Sequence, residues 1–179
     1  MRLLLSLLLP LLLCTCDSAP DNASLNTLNF FDLKGYIDEE VDRLGGVPLT
    51  VDKTITLNGK TETQQLDDLD FGSDLQLFAS ADINKAAWID KYNTEVKTMS
   101  GSHKITRYTA LDTTLTTRML EVEEDRGQPI QITIKRKTGT FLSDGVSELV
   151  YRAANGYTVQ TKQDNRFGDD IDALVQVAW

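Results

Sequence analysis

The side chains with the means to do chemistry are one histidine, two cysteines, two runs of aspartate and a scatter of aromatic rings. His103 is the only imidazole, with Ser100 and Ser102 just before it. A serine triad needs its nucleophile on a strained elbow, and no Gly-x-Ser-x-Gly occurs, so Ser-Gly-Ser-His reads as an exposed turn. A lone histidine also leaves no multi-histidine metal site. Asp67, Asp68, Asp70 and Asp74, and then Asp164, Asp169, Asp170 and Asp172, supply oxygens of the kind that calcium takes about six to eight of. Counted from Asp68, however, Gly72 falls fifth where an EF-hand places glycine sixth, and the twelfth residue is Ala79. Helix capping and solvated loops are the expected roles of these acids. A carboxylate-based hydrolase needs two opposed acids in a cleft, and 27 acidic residues single out no pair. Walker loops, dinucleotide fingerprints and redox cysteine pairs are missing from the sequence, so no cofactor is expected. Phe30, Phe31, Phe71, Phe78, Trp88, Tyr92, Tyr151, Tyr157 and Trp179 are expected mainly as core, with an apolar-ligand pocket as the alternative.

The cysteines sit at the edge of an apolar leader. Arg2 precedes Leu3 to Leu13, a leucine run interrupted by Ser6 and Pro10. Eleven residues reach roughly 16 Å as a helix, against about 30 Å of bilayer hydrocarbon, so the run is expected to be a cleavable secretory signal. Leu13-Cys14-Thr15-Cys16 then resembles the lipobox of bacterial lipoproteins, with a small residue directly before Cys16 and an aliphatic one three positions before it. Cys14 would instead follow bulky Leu13. Thr15, in place of glycine, alanine or serine, resembles the relaxed lipoboxes of Bacteroidota-type envelopes. The resemblance covers the leader only. It implies a signal peptide over 1–15, a fatty-acylated Cys16 as the new first residue, and anchorage in the bacterial envelope, with the outer membrane favoured over the inner. It also implies that Cys14 is discarded and the Cys16 thiol consumed as a thioether, which leaves no disulfide, thiol catalysis or zinc thiolate. Ordinary signal cleavage after Ala19 or Ala23 is the alternative. The polar, proline-bearing stretch up to Asn29 reads as a flexible tether over 16–29, followed by one domain over 30–179.

Composition bounds the rest. With 41% hydrophobic and 25% charged residues the chain can fold around one core. The formal charge is −9; without the leader, 17 cations face 27 carboxylates, a net −10. Such a surface repels backbone phosphates, so nucleic acid is not an expected partner. Adsorption to anionic lipid is disfavoured for the same reason.

The elements that must position any site follow from periodicity. Phe30, Leu33, Ile37, Val41 and Leu44 share one helical face; Asn29 is placed to cap it, and Gly45-Gly46 to end it. Asn58-Gly59 between Val51–Leu57 and Lys60–Leu66 is a type I′ hairpin signal, because both turn residues need positive φ. Asp68 or Asp70 should cap a second helix through Leu75, Phe78 and Ile83, resuming over Ala86–Tyr92 so that Trp88 and Tyr92 share a face. Strands are expected at Glu95–Met99, Lys104–Leu111, Thr116–Glu124, Ile130–Lys137, Glu148–Ala153, Tyr157–Gln163 and Asp172–Ala178. Turns are expected at Ser100-Gly101, Asp112-Thr113, Arg126-Gly127, Ser143-Asp144-Gly145 and Asn155-Gly156. Connections this short leave no room for crossover helices. The fold class is therefore α+β, a curved antiparallel meander of about seven or more strands covered by two helices, with a small barrel as the alternative.

In function the chain is expected to be a non-enzymatic binding or accessory module of the envelope. Its partners would be the membrane, through the N-terminal lipid, and an unidentified protein or apolar ligand. At fold level only, helices over a curved sheet resemble carriers of the lipoprotein-localisation type. That analogy requires an apolar cavity between sheet and helices. A small hydrolase is the competing class.

Overall fold

The computed structural model describes residues 29–179. The expected signal peptide, Cys16 and the tether up to residue 28 lie outside them. Helix α1 spans Leu33–Gly45 and buries Leu33, Ile37 and Leu44. Its cap is Asp32 and not Asn29: the Asp32 carboxylate accepts from the Gly35 amide at 2.9 Å, satisfying one of the free N–H groups of the first turn. A side chain on Gly35 would put its Cβ 2.4 Å from Asp32 Oδ2. The glycine that weakens the helix by propensity is what lets the capping carboxylate fold over it. Phe30, freed from the helix, packs edge-on against Tyr92 and Tyr108.

Strands β1 (Val51–Leu57) and β2 (Lys60–Leu66) follow, joined by Asn58 and Gly59 at φ 48° and 81°, as a type I′ turn demands. Helix α2 (Phe71–Ala79) is capped by Asp70, which accepts from the Ser73 amide and hydroxyl. It stops well before Ile83. The polar groups of Asn84 are engaged elsewhere: its Oδ1 accepts from Phe30 N and its Nδ2 donates to Phe31 O, tying this segment to the start of α1. Ala86–Trp88 makes a single 3-10 turn, and Tyr92 opens a strand. Trp88 and Tyr92 therefore share no helix face, although their rings lie 6.3 Å apart.

The remaining strands are β3 (Tyr92–Thr98), β4 (His103–Ala110), β5 (Thr117–Asp125), β6 (Gln128–Gly139), β7 (Ser143–Arg152), β8 (Gly156–Asn165) and β9 (Ile171–Ala178). One nine-stranded antiparallel sheet results, in the order β2-β1-β9-β8-β7-β6-β5-β4-β3. It is the expected α+β meander, with the first hairpin docked on the last strand. The sheet stays open, so the barrel alternative is not adopted. Its edges β2 and β3 carry Lys60, Glu62, Glu95 and Lys97, which discourage further strand pairing. The turn expected at Ser143-Asp144-Gly145 lies instead at 140–142, where Thr140 Oγ1 accepts from the amides of Leu142 and Ser143.

One face of the sheet is covered. Leu75 and Phe78 of α2 share one core with Leu120, Ile132, Ile134, Leu149 and Tyr151, all fully buried, at roughly 1.5–3 kcal/mol for each large apolar side chain. The alternate residues of the same strands form an uncovered face. Among the described residues no helix is long and apolar enough to cross a membrane.

Candidate functional site

Strand alternation sends Ile132, Ile134 and Arg136 of β6 toward the helices and Lys135 and Lys137 to the uncovered face. Register supplies their neighbours. Lys137 lies opposite Val146, and Val146 opposite Lys162; Lys135 lies opposite Glu148, and Glu148 opposite Gln160. On the other side, β5 carries a bulge: Thr117 faces Arg136 and Met119 faces Lys135, leaving Arg118 as the extra residue. Such an insertion re-aims a side chain, and here it brings Arg118 beside the two lysines. Arg118 Nη1 donates to the Asp112 carbonyl at 3.1 Å.

These residues line an open cavity of about 490 Å³. Arg118, Lys135, Lys137 and Lys162 contribute four positive charges to its wall, and Glu148 one negative. Val146 and the lysine stems supply apolar surface between them. Among the described residues the side chains of Lys135 and Lys137 have no hydrogen-bond or ion-pair partner, and Lys162 has only Asp172 at 3.6 Å. Below the floor, Arg136 points the other way, half-buried, with Nη1 donating to Leu77 O at the end of α2 over 3.5 Å. Burial lowers its pKa from the ordinary arginine value.

Elsewhere on the uncovered face charge is only partly paired, and among the described residues Lys97 and Arg152 also lack a side-chain partner. Arg107 places Nε and Nη2 each 2.6 Å from Glu121 Oε2. His103, expected in a turn, begins β4, and its Nε2 lies 2.7 Å from Glu123 Oε1 without hydrogen-bond alignment. Ser102 is bonded to Asp125 at 2.6 Å, so the serines assemble no triad with the histidine. Toward β2 the face carries Asp52, which accepts from Gln65, beside Thr54–Thr63 and Thr56–Thr61 hydroxyl pairs.

The covered face holds the other polar groupings. Tyr151 and Tyr157 stand directly opposite each other on β7 and β8. Tyr151 donates to Glu40 of α1 at 2.5 Å, and Arg43 Nη2 lies 2.6 Å from the same oxygen. Tyr157 donates to Asp74 of α2, which also holds Lys53 Nζ at 2.5 Å. Burial, then the adjoining carboxylate, raises the pKa of each tyrosine. Glu40 is pushed up by burial, but bonds from Arg43 and Tyr151 outweigh this and lower it. With the Tyr151 hydroxyl raised and the Glu40 carboxylate lowered, both lie far from neutrality, and the pair acts as a brace between helix and sheet.

Several of the aspartates serve caps and turns, while Asp74 and Asp172 meet Lys53 of β1 and Lys162 of β8. Asp67 accepts from Thr50, Asp70 caps α2, and Asp170 accepts from the Asn165 amide. Among the described residues no three His, Cys, Asp or Glu side chains gather as a metal group. All nine of the expected core aromatics pack in the core or against it, with Phe71, Tyr151 and Tyr157 all meeting Trp179. The basic cavity was not among the sequence expectations. Its signal was Lys135-Arg136-Lys137 in an acidic chain, where alternation alone puts two cations on one face. Fold and site together define an open antiparallel sheet, helix-backed on one side and bearing a cationic hollow on the other. Comparison with protein-family profiles, curated proteins and solved structures returned no match for this chain.

Proposed function

We propose that the chain is an exported, non-enzymatic binding module of the bacterial envelope, moored through an acylated Cys16 and working through the uncovered face of its sheet. The anchor rests on Leu13-Cys14-Thr15-Cys16, with the outer membrane as destination. The binding role rests on one observation: an acidic protein gathers four cations around one hollow and leaves two of them without a partner. Folding does not require that arrangement, since the same face pairs Arg107 with Glu121. A ligand would.

The packing beneath the helices favours a surface ligand over an internal apolar one. Leu33, Ile37, Leu75, Phe78 and Tyr151 fill the space that an apolar carrier would keep empty. The hydrolase reading has less support, because Glu40 and Asp74 are each engaged by a cation and a tyrosine.

Two measurements test the proposal. Intact mass spectrometry of the membrane-extracted protein should give a chain beginning at a diacylated or triacylated Cys16; an unmodified mature N-terminus overturns the anchor. A photocrosslinking residue placed at Gln160 on the uncovered face should form a defined adduct in the native envelope, and one at Lys34 on α1 should not. Adducts at both or at neither overturn the working face.

A further inference from the structure

We infer that the hollow between β5 and β8 binds a compact anionic saccharide, a sugar ring bearing two or more phosphate or sulfate groups. This rests on the uncovered face being the working surface, and adds the chemistry of what it takes. Charge comes first. Lysine ammonium groups are strongly hydrated point charges, and oxyanions are their usual partners. Arg118 spends one N–H on Asp112 O and keeps the rest of its guanidinium for a ligand.

Spacing gives the hollow room for more than a single small ion. Lys135 and Lys137 are two residues apart on β6, roughly 7 Å along the strand. Lys137 and Lys162 flank Val146 across two strand spacings, roughly 10 Å. Flexible lysine stems let one phosphate reach two of these cations, whereas several oxyanions on one ring can engage all of them at once. The volume of about 490 Å³ also exceeds what a lone ion fills.

The middle of the hollow selects the body that carries those groups. Val146 and the aliphatic lysine stems give an apolar floor suited to the C–H face of a sugar ring, Gln160 can donate to ring or ester oxygens, and Glu148 can accept from any hydroxyl left free. No aromatic ring lines it, so nothing is present to stack a nucleobase. Size is limited as well. Beyond about 10 Å, the Debye length near 0.1 M salt, a long polyanion would run onto a chain of net charge −9. A compact ligand avoids that repulsion. Such a saccharide can arrive free in solution or as the headgroup of a glycolipid, and the chemistry of recognition is the same.

The test uses the full-length protein in a neutral detergent, titrated calorimetrically with sucrose octasulfate and, separately, with inorganic sulfate. The octasulfate should bind saturably, with affinity falling as salt rises, and inorganic sulfate should bind at least a hundredfold more weakly. Lys135→Glu with Lys137→Glu should weaken octasulfate binding by tenfold or more. Lys60→Glu, at the far hairpin, should leave it unchanged. Competition within the detergent separates the two sources: a sulfated galactolipid mixed into the micelles that displaces the octasulfate assigns a headgroup, and octasulfate binding that this lipid leaves unchanged assigns a soluble ligand. Absence of octasulfate binding, equal affinity for inorganic sulfate, or equal loss in Lys60→Glu would overturn the inference. If octasulfate fails while the Gln160 crosslink still forms, the working face stands and only its ligand chemistry falls.

Discussion

On the helix-covered face of the sheet Arg43 has Glu40, Lys53 has Asp74, and each of those carboxylates also receives a tyrosine hydroxyl. On the uncovered face of the same strands Lys135 and Lys137 face water with no partner. The contrast separates what folding demands from what it permits. A half-buried cation without a carboxylate loses hydration it cannot recover, which the covered face avoids at Arg43 and Lys53 but not at Arg136, whose Nε is buried without a partner. An exposed lysine keeps its water and costs the fold little. The leftover charge is therefore unconstrained by stability and open to being set by a ligand.

The comparison breaks first if the covered face is not the seat of stability. Phe78→Ala, which empties a fully buried site against Tyr151 and Tyr157, should cost about 3–5 kcal/mol in urea unfolding. Gly156→Ala should cost about 3 kcal/mol, because φ is 119° there and an added Cβ would lie 1.9 Å from the Val177 carbonyl oxygen. Asp74→Ala should cost about 2 kcal/mol, since it strands both Lys53 and the Tyr157 hydroxyl. Glu40 sharpens the contrast through pH. Its carboxylate titrates lower in the folded protein than in the unfolded chain, so its stabilisation is present above the ordinary carboxylate value and is lost as pH falls through the lowered one. Glu40→Gln should flatten the acid limb of a stability-against-pH curve, and an unchanged limb would remove the brace from the account. The smallest effect belongs to the uncovered face. Lys135→Ala with Lys137→Ala should stay within about 0.5 kcal/mol of the parent in the same urea assay.

Much of the architecture was legible because local chemistry and global fold agree. Asn58-Gly59 has one low-strain use between alternating strands, and that use is found. The errors share a physical origin: a residue chosen for a tertiary contact was read for its local preference. Ser143-Asp144-Gly145 carries turn chemistry yet sits inside β7, where a Cβ on Gly145 would come 2.8 Å from Thr138 Oγ1 on the neighbouring strand. Phe30 has helical spacing but serves the ring cluster with Tyr92 and Tyr108. Of the site, the Lys135 and Lys137 pair lay in plain view within β6. Lys162 joins them only through the register of β7 and β8, and Arg118 only through the bulge at Thr117 and Met119. Neither register nor bulge is written in the local residue pattern.

The central claim is that the uncovered β6–β8 sector is where this protein meets its ligand. Amide NMR of the protein titrated with sucrose octasulfate reads that position directly. Shifts that saturate together at Arg118, Lys135, Lys137, Val146 and Lys162, with α1 and α2 silent, are the predicted result. Shifts centred on the helices, or scattered and unsaturable over every lysine, would contradict it.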